Sequence, residues 1–424
     1  MRPTVDARVH LWSRQFVLVP PGLLLRNSQE EFGGRNMSTT GENSGQIAAC
    51  ALEAALGRVK APIATAATLP PACYSDAGVF ERERQAVFHR SWVGVGRTDR
   101  WKEPGSYTAI TLAGIPIIVL RDRDGELRAF ANTCRHRGAR LLEGNGRCQT
   151  IRCPYHRWTY ALDGRLLLAP RMEDVADFDG ADNGLIPVRI ESRDGFAFVC
   201  FDPDCPPLAQ WLGDFSHMHK PWSLADMVST RRRDFEVACN WKSFIEVFNE
   251  YYHLPAVHPD SLAGLYDDPD DVDEVSGQYT SQFGTTKGNS ALLEATQEHT
   301  LPAIDSLADR NRHGTRYTWV YPNMTFAAGT DSIWMYEVYP LSTDRTLVGM
   351  TICYPKATAE RDDFAAKAQH YYARFDAAIA EDIPALENQH LGLDSPLARQ
   401  GRFSPLEPSV ANFACWYAQR MLDR

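Results

Sequence analysis

Alternating apolar and polar positions run through the segment from Tyr107 to Phe201 and predict short β-strands at Ile115–Leu120, Leu127–Asn132, Ile151–Cys153 and Gly195–Phe201. Turn signals at Arg123-Asp124-Gly125 and Leu162-Asp163-Gly164 separate them. Upstream, Ser75 can cap a helix running to about Trp92. Pro203, Pro206 and Pro207 punctuate a boundary, and beyond it the pattern is mixed. A helix is expected over Trp241–His253, strands across Tyr317–Tyr354, and a long helix from about Ala359 to Ala380. The expected fold class is α+β: an all-β domain at 95–205 and a larger mixed domain at 206–424, with an antiparallel sheet and covering helices. The helix at 75–94 belongs with the larger domain. Residues 1–74 carry Gly, Ser, Thr and Pro clusters and are expected to be weakly ordered, with Met37 as an alternative start. Arg2, Arg8, Arg14 and Arg26 against Asp6 also suit a targeting peptide.

Composition narrows the function. The 424 residues include 54 acidic and 44 basic side chains, a formal charge of −10. Such a chain, with no basic run, is a poor partner for nucleic acid or an anionic membrane. The longest apolar run, Ala109–Leu120, is interrupted by Thr111, Gly114 and Pro116 and reads as two strands rather than a membrane span. Ten cysteines without a secretory signal suit the reducing cytoplasm, where clustered Cys and His more often bind metal than form bridges.

Two such clusters stand out. Cys134-Arg135-His136 is followed, after sixteen residues, by Cys153-Pro154-Tyr155-His156. Two thiolates on one iron and two imidazoles on the other would make a Rieske [2Fe–2S] centre; a structural zinc site could use the same four donors. Cys148, between the two pairs, reads as a plain core thiol.

Downstream, Glu246, Glu250 and His253 would share a helical face, and Pro255 would end that helix and let His258 fold back beside His253. Two imidazoles and a carboxylate leave open positions on Fe(II). The best carboxylate donor is Asp382, with Glu381 as its rival. Around the motif, Tyr251, Tyr252 and Tyr266, with Trp319 and Trp334 from the strands, are candidates for a substrate pocket or for ordinary core packing. Glu337 could pair with a cation or face solvent.

Cys-x-His-Arg-Gly followed by Cys-Pro-Tyr-His-x-Trp resembles the Rieske domain of aromatic-ring-hydroxylating oxygenases. Asn240-Trp241-Lys242 with Glu250-x-x-His253-x-x-x-x-His258 is similar to the catalytic domain of the same Rieske non-haem iron oxygenases. The resemblance spans roughly Tyr74 to the C-terminus. It implies a [2Fe–2S] cluster on Cys134, His136, Cys153 and His156, and a mononuclear Fe(II) on His253, His258 and Asp382. It implies a homotrimer in which Glu250 joins His156 of one subunit to His253 of the next. It also implies O2 and a small organic molecule as substrates. Glutamate rather than aspartate at 250 resembles the branch acting on quaternary ammonium compounds, so hydroxylation or oxidative demethylation is expected, with cis-dihydroxylation of an aromatic ring as the alternative. An electron carrier without oxygenase activity is the rival from another class. No dinucleotide or flavin fingerprint is present, so electrons would come from a separate NAD(P)H-dependent reductase or ferredoxin. Two positions depart from the family pattern: Arg157, where glycine is usual, and Val247, where asparagine is usual.

Overall fold

The computed structural model describes residues 40–423, with side chains from residue 50; the alternative start at Met37 and the basic N-terminal segment lie outside the described residues. Three antiparallel sheets carry the fold. Seven strands form the first, in the order Val93–Arg97, Phe196–Cys200, Pro187–Arg193, Leu127–Ala131, Ile115–Arg121, Ser106–Leu112 and Asn145–Arg147. Ile151–Arg152, Thr159–Tyr160 and Leu166–Leu168 form a small three-stranded sheet. The third has six strands, ordered Met227–Val237, Thr346–Pro355, Ile333–Pro340, Met324–Ala328, Gly314–Val320 and Tyr279–Thr285. An all-β portion and a sheet covered by helices give the α+β architecture that the alternation predicts.

The two larger sheets share one core, in which Phe196 stacks on Phe326 at 5.2 Å. Contact is close because position 94 is glycine: a Cβ there would meet Met324 at 2.8 Å. The Gly94 N–H donates to Asn323 Oδ1 at 2.8 Å across the same junction. A separate small core under the cluster motif contains Ile118, Phe130, Trp158 and Tyr160, with the half-buried Cys148 at its edge.

Several helices differ from expectation. The helix after residue 75 is Ala77–Glu83, followed by a π-helical turn at Arg84–Phe88, so it stops short of Trp92. Its cap is Asp76, whose carboxylate accepts the Val79 N–H at 2.8 Å, and not Ser75. Part of the segment expected to be weakly ordered is helical, over Thr40–Val59. Its signal was a short helical period, Leu52, Ala55, Leu56 and Val59, which is packed or buried on one side. The long helix runs Phe364–Leu393, past Pro384. Its apolar face continues through Tyr371, Phe375, Ala378 and Leu386, and this packing carries the helix through a residue that lacks an N–H. Arg231 and Arg233 of the edge strand hold Asp376 of that helix at 2.7 and 2.9 Å.

Candidate functional site

The first constellation sits on two similar tight turns. The Gly138 N–H donates to the Cys134 carbonyl at 2.9 Å, and the Arg157 N–H to the Cys153 carbonyl at 3.2 Å. Both fourth residues have positive φ, +70° at Gly138 and +65° at Arg157. Glycine adopts that conformation freely, which gives a physical reason for the usual glycine at 157; arginine there is strained. Cys134 and Cys153 are buried, whereas His136 is exposed and His156 half-buried. Tyr160 lies under the first turn, its hydroxyl 3.3 Å from Cys134 Sγ and accepting the Arg135 N–H at 3.1 Å. His136 stacks on Trp158 with ring centroids 5.1 Å apart. The two histidines bring their Nδ1 atoms within 3.1 Å of each other. Two buried thiols beneath two imidazoles with converging ring nitrogens fit a [2Fe–2S] centre with mixed ligation.

The second constellation is built by longer-range contacts. Asn240 caps the helix Trp241–Val247, accepting the Lys242 N–H at 3.1 Å, and its amide donates to the Tyr74 carbonyl at 3.0 Å. Trp241 Nε1 and Lys242 Nζ each meet the fully buried Glu83 carboxylate at 2.5 Å, and Tyr417 donates to it at 2.8 Å. Asn240-Trp241-Lys242 therefore bolts the iron motif to the Ala77–Glu83 helix and to the C-terminal helix Pro408–Leu422.

That helix ends at Val247, so Glu250 and His253 do not lie on a helical face with Glu246. Asn249 donates to the Ile245 carbonyl at 2.6 Å, and Glu250 accepts the backbone N–H groups of Tyr252 and His253, the latter at 3.1 Å. These side-chain bonds replace helical backbone bonds and turn the chain. Pro255 does not stop a helix; it stands in the first turn of a new one, Leu254–Val257, where its missing N–H leaves no helical bond unmade. His258 follows directly and is 1% exposed.

Asp382 comes from the interior of the long helix, on its buried side, and not from a helix end as its sequence setting suggested. Its Oδ1 lies 2.9 Å from His258 Nε2 and 3.7 Å from His253 Nε2. One donor atom from each of the three residues falls within 4.8 Å of the others. Glu250 Oε1 lies 2.5 Å from His253 Nδ1, and Glu381 Oε2 lies 2.6 Å from His258 Nδ1. A carboxylate on each Nδ1 fixes the proton there and leaves both Nε2 lone pairs facing Asp382. Asp382 Oδ1 is buried and makes no hydrogen bond of proper geometry. An orphaned carboxylate oxygen between two imidazole lone pairs fits a divalent iron ion. Glu381, the rival donor, instead holds the back of His258, with Ser261 donating to the same oxygen at 2.6 Å.

A cleft open to solvent lies beside these residues. Tyr251, Tyr266 and Trp334 line it as expected. Tyr252 does not: it is 61% exposed. Trp319 does not either; it is fully buried and stacks on Phe413 of the C-terminal helix at 3.9 Å. Register explains the difference. Tyr317, Ala327 and Trp334 pair in one row across three strands, and Trp319, Thr325 and Tyr336 in the next. One end of this sheet face is roofed by the iron loops, while Phe413 covers Trp319 near the other. Small Ala327 leaves room between two large rings 6.2 Å apart. Tyr336, on the same strand face as Trp334, lines it too, as do Phe248, Tyr317 and Arg374, which the sequence did not single out. Glu337, on an adjacent position, points away from solvent and is fully buried, accepting from Arg232 at 3.0 Å.

Burial raises the Tyr251, Tyr317 and Tyr336 phenols above their ordinary range, so these three rings stay uncharged. Glu246 borders a second cavity that also touches Glu250 and His253. Desolvation raises its carboxyl to about 7, opposed by the Tyr74 hydroxyl, which donates at 2.8 Å.

Residues 91–179 match the family described as Rieske [2Fe-2S] domain, and residues 224–423 match the ring hydroxylating alpha subunit (catalytic domain). The carnitine monooxygenase oxygenase subunit of Escherichia coli (strain K12) is 30% identical over 347 residues, covering 79% of this chain and 87% of that protein. The glycine betaine monooxygenase oxygenase subunit of Pseudomonas aeruginosa PAO1 is 29% identical over 387 residues, covering 84% and 89%. The crystal structure of the quaternary ammonium Rieske monooxygenase CntA with L-carnitine superposes with a TM-score of 0.71 at 26% identity, covering 87% of this chain and 98% of that one.

Proposed function

Because the chain belongs to the Rieske non-haem iron oxygenases, as an oxygenase catalytic subunit, we propose that it hydroxylates or oxidatively demethylates a small quaternary ammonium compound, inserting one atom of O2. Its cofactors are a Rieske [2Fe–2S] cluster and a mononuclear iron, and its electrons come from a separate reductase protein. Bound, the cluster supplies electrons singly and the iron activates O2. Cys134, His136, Cys153 and His156 would hold the cluster; His253, His258 and Asp382 would hold the iron.

The observation that carries the substrate reading is the cleft itself. Its wall is largely aromatic, with Phe248, Tyr251, Tyr317, Trp334 and Tyr336, and aromatic faces attract a methylated ammonium group through their negative π-surfaces. The same wall excludes water from the bound methyl groups. Glu250 keeps the His253 ring in the orientation that faces Asp382. Among the described residues, no hydrogen bond or ring contact joins either cluster histidine to Glu250 of the same chain. A ring of three subunits, in which Glu250 also meets His156 of the partner subunit, is part of this proposal. No described helix is long and apolar enough to cross a membrane, and no disulfide links the ten cysteines, which suits work in the cytoplasm. The related oxygenase subunits are named as monooxygenases, so ring cis-dihydroxylation loses its place as the alternative.

The test is a screen of trimethylammonium compounds with the metal-loaded chain, a surrogate reductase and ¹⁸O2. Coupled O2 consumption is expected, with one ¹⁸O in the product or formaldehyde released. A cis-diol carrying two ¹⁸O atoms from an aromatic hydrocarbon, without turnover of any ammonium compound, would overturn the reading.

A further inference from the structure

The iron-site cleft contains a buried cation that a purely cationic ligand would have to face. Arg374 lines the cleft and is 4% exposed. It stands on the long helix two turns before Asp382, with Ala378 between them, and all three line the same space. At 1.5 Å per residue the guanidinium and the iron-site carboxylate are carried by backbone positions roughly 12 Å apart along the helix.

Its partners are few. Nη2 donates to the Tyr266 hydroxyl at 3.2 Å. The guanidinium carbon lies 5.3 Å from the Trp334 ring centre and 5.1 Å from that of Phe375. Nε is buried without a hydrogen-bond partner. No carboxylate lies within ion-pair distance among the described residues; Asp376, on the same helix, is occupied by Arg231 and Arg233. Buried charges are ordinarily paired, because an uncompensated one loses its hydration for nothing. Guanidinium presents a planar fork of donors matched to a carboxylate.

Resting on the reading of this cleft as a quaternary-ammonium site, we infer that Arg374 anchors a carboxylate of the substrate, which is therefore a zwitterion with an acid group at one end and a methylated nitrogen at the other. The acid group supplies the missing counter-charge, and the aromatic rings take the ammonium end. A ligand with the ammonium group alone leaves the guanidinium without a carboxylate in ion-pair reach, so Arg374 favours the zwitterion over it. Tyr266, held by the guanidinium and 2.8 Å from the Tyr317 hydroxyl, lies between the anchor and the aromatic wall.

Equilibrium binding to the metal-loaded chain, read by calorimetry, separates the possibilities with three probes: γ-butyrobetaine (acid and ammonium), choline (ammonium only) and butyrate (acid only). The wild type is expected to bind γ-butyrobetaine more tightly than choline. Arg374→Gln should weaken γ-butyrobetaine about thirtyfold or more while leaving choline unchanged or tighter. Arg374→Lys, which keeps the charge but loses the fork, should fall between. Equal weakening of γ-butyrobetaine and choline in R374Q would show that Arg374 only supports the wall, and would overturn the anchor while keeping the ammonium site. Binding of butyrate but of neither trimethylammonium probe, lost in R374Q, would keep the anchor and overturn the ammonium reading. Failure of the wild type to prefer γ-butyrobetaine or butyrate over choline would also overturn the anchor. Should R374Q misfold, Tyr266→Phe gives a second measure: it removes the one hydrogen bond the guanidinium makes, and the preference for γ-butyrobetaine over choline should survive. Loss of that preference in Y266F would assign it to the tyrosine and overturn the anchor.

Discussion

The cluster turns and the iron site hold donors in convergence by different means. In the first, two turns with the same backbone pattern do the work, and the facing histidines are 20 residues apart in the chain. Their geometry is local. In the second, Glu381 and Asp382 reach His258 and His253 from a helix more than a hundred residues downstream. Position there depends on how the iron motif is bolted to Glu83 and how the long helix is pinned to the edge strand. A local site is expected to tolerate global strain and to fail by changes within its turns. An assembled site is expected to fail by changes far from the metal.

Lys242→Met should have the largest effect on this contrast. It leaves the Glu83 charge buried without its ammonium partner, at a cost of about 3–5 kcal/mol, measurable by urea titration. Iron should be lost from the assembled site at lower urea than the cluster's visible absorption disappears. Simultaneous loss of both would show that the cluster turns are not locally held. Glu381→Gln should act next in size. With His258 Nδ1 no longer facing a charged carboxylate, iron affinity should drop about 10–100-fold, read by chelator competition, with cluster content unchanged. Unaltered affinity would mean that Glu381 is a bystander. Arg157→Gly is the smallest change and acts only in the turns. Relief of the left-handed arginine should stabilise the chain by up to about 1 kcal/mol in thermal unfolding, with the iron site unaffected. A loss of stability would reveal a favourable contact made by the Arg157 side chain.

The same contrast explains what could be read from the sequence. The turns were legible because all four donors and their spacing lie in one short stretch, and the flanking strands alternate plainly. His253 and His258 were legible for the same reason. The path between them was not. Asn249 and Glu250 use their side chains to break the helix, and helical periodicity carries no sign of that. Asp382 could be preferred to Glu381 only through resemblance, since its helix was expected to end before it; the apolar positions Tyr371, Phe375, Ala378 and Leu386 were the missed signal. The pocket was half legible. Alternation assigns faces to a strand but not what covers each end of a face. Trp319 and Tyr317 therefore looked alike, and one packs under Phe413 while the other opens on the cleft. Tyr252 fell outside the cleft because the turn at Glu250 rotates it to solvent. Arg374 was invisible because a lone arginine on a helix is usually at the surface.

The independence of the two sites is tested most directly by Asp382→Ala, with iron, acid-labile sulfide and the visible spectrum measured on the same purified sample. Iron should fall by one atom per chain, sulfide and the reducible chromophore should stay, and substrate oxidation should cease. Full iron content with activity retained, or loss of sulfide and colour together with the iron, would contradict a separate site on His253, His258 and Asp382.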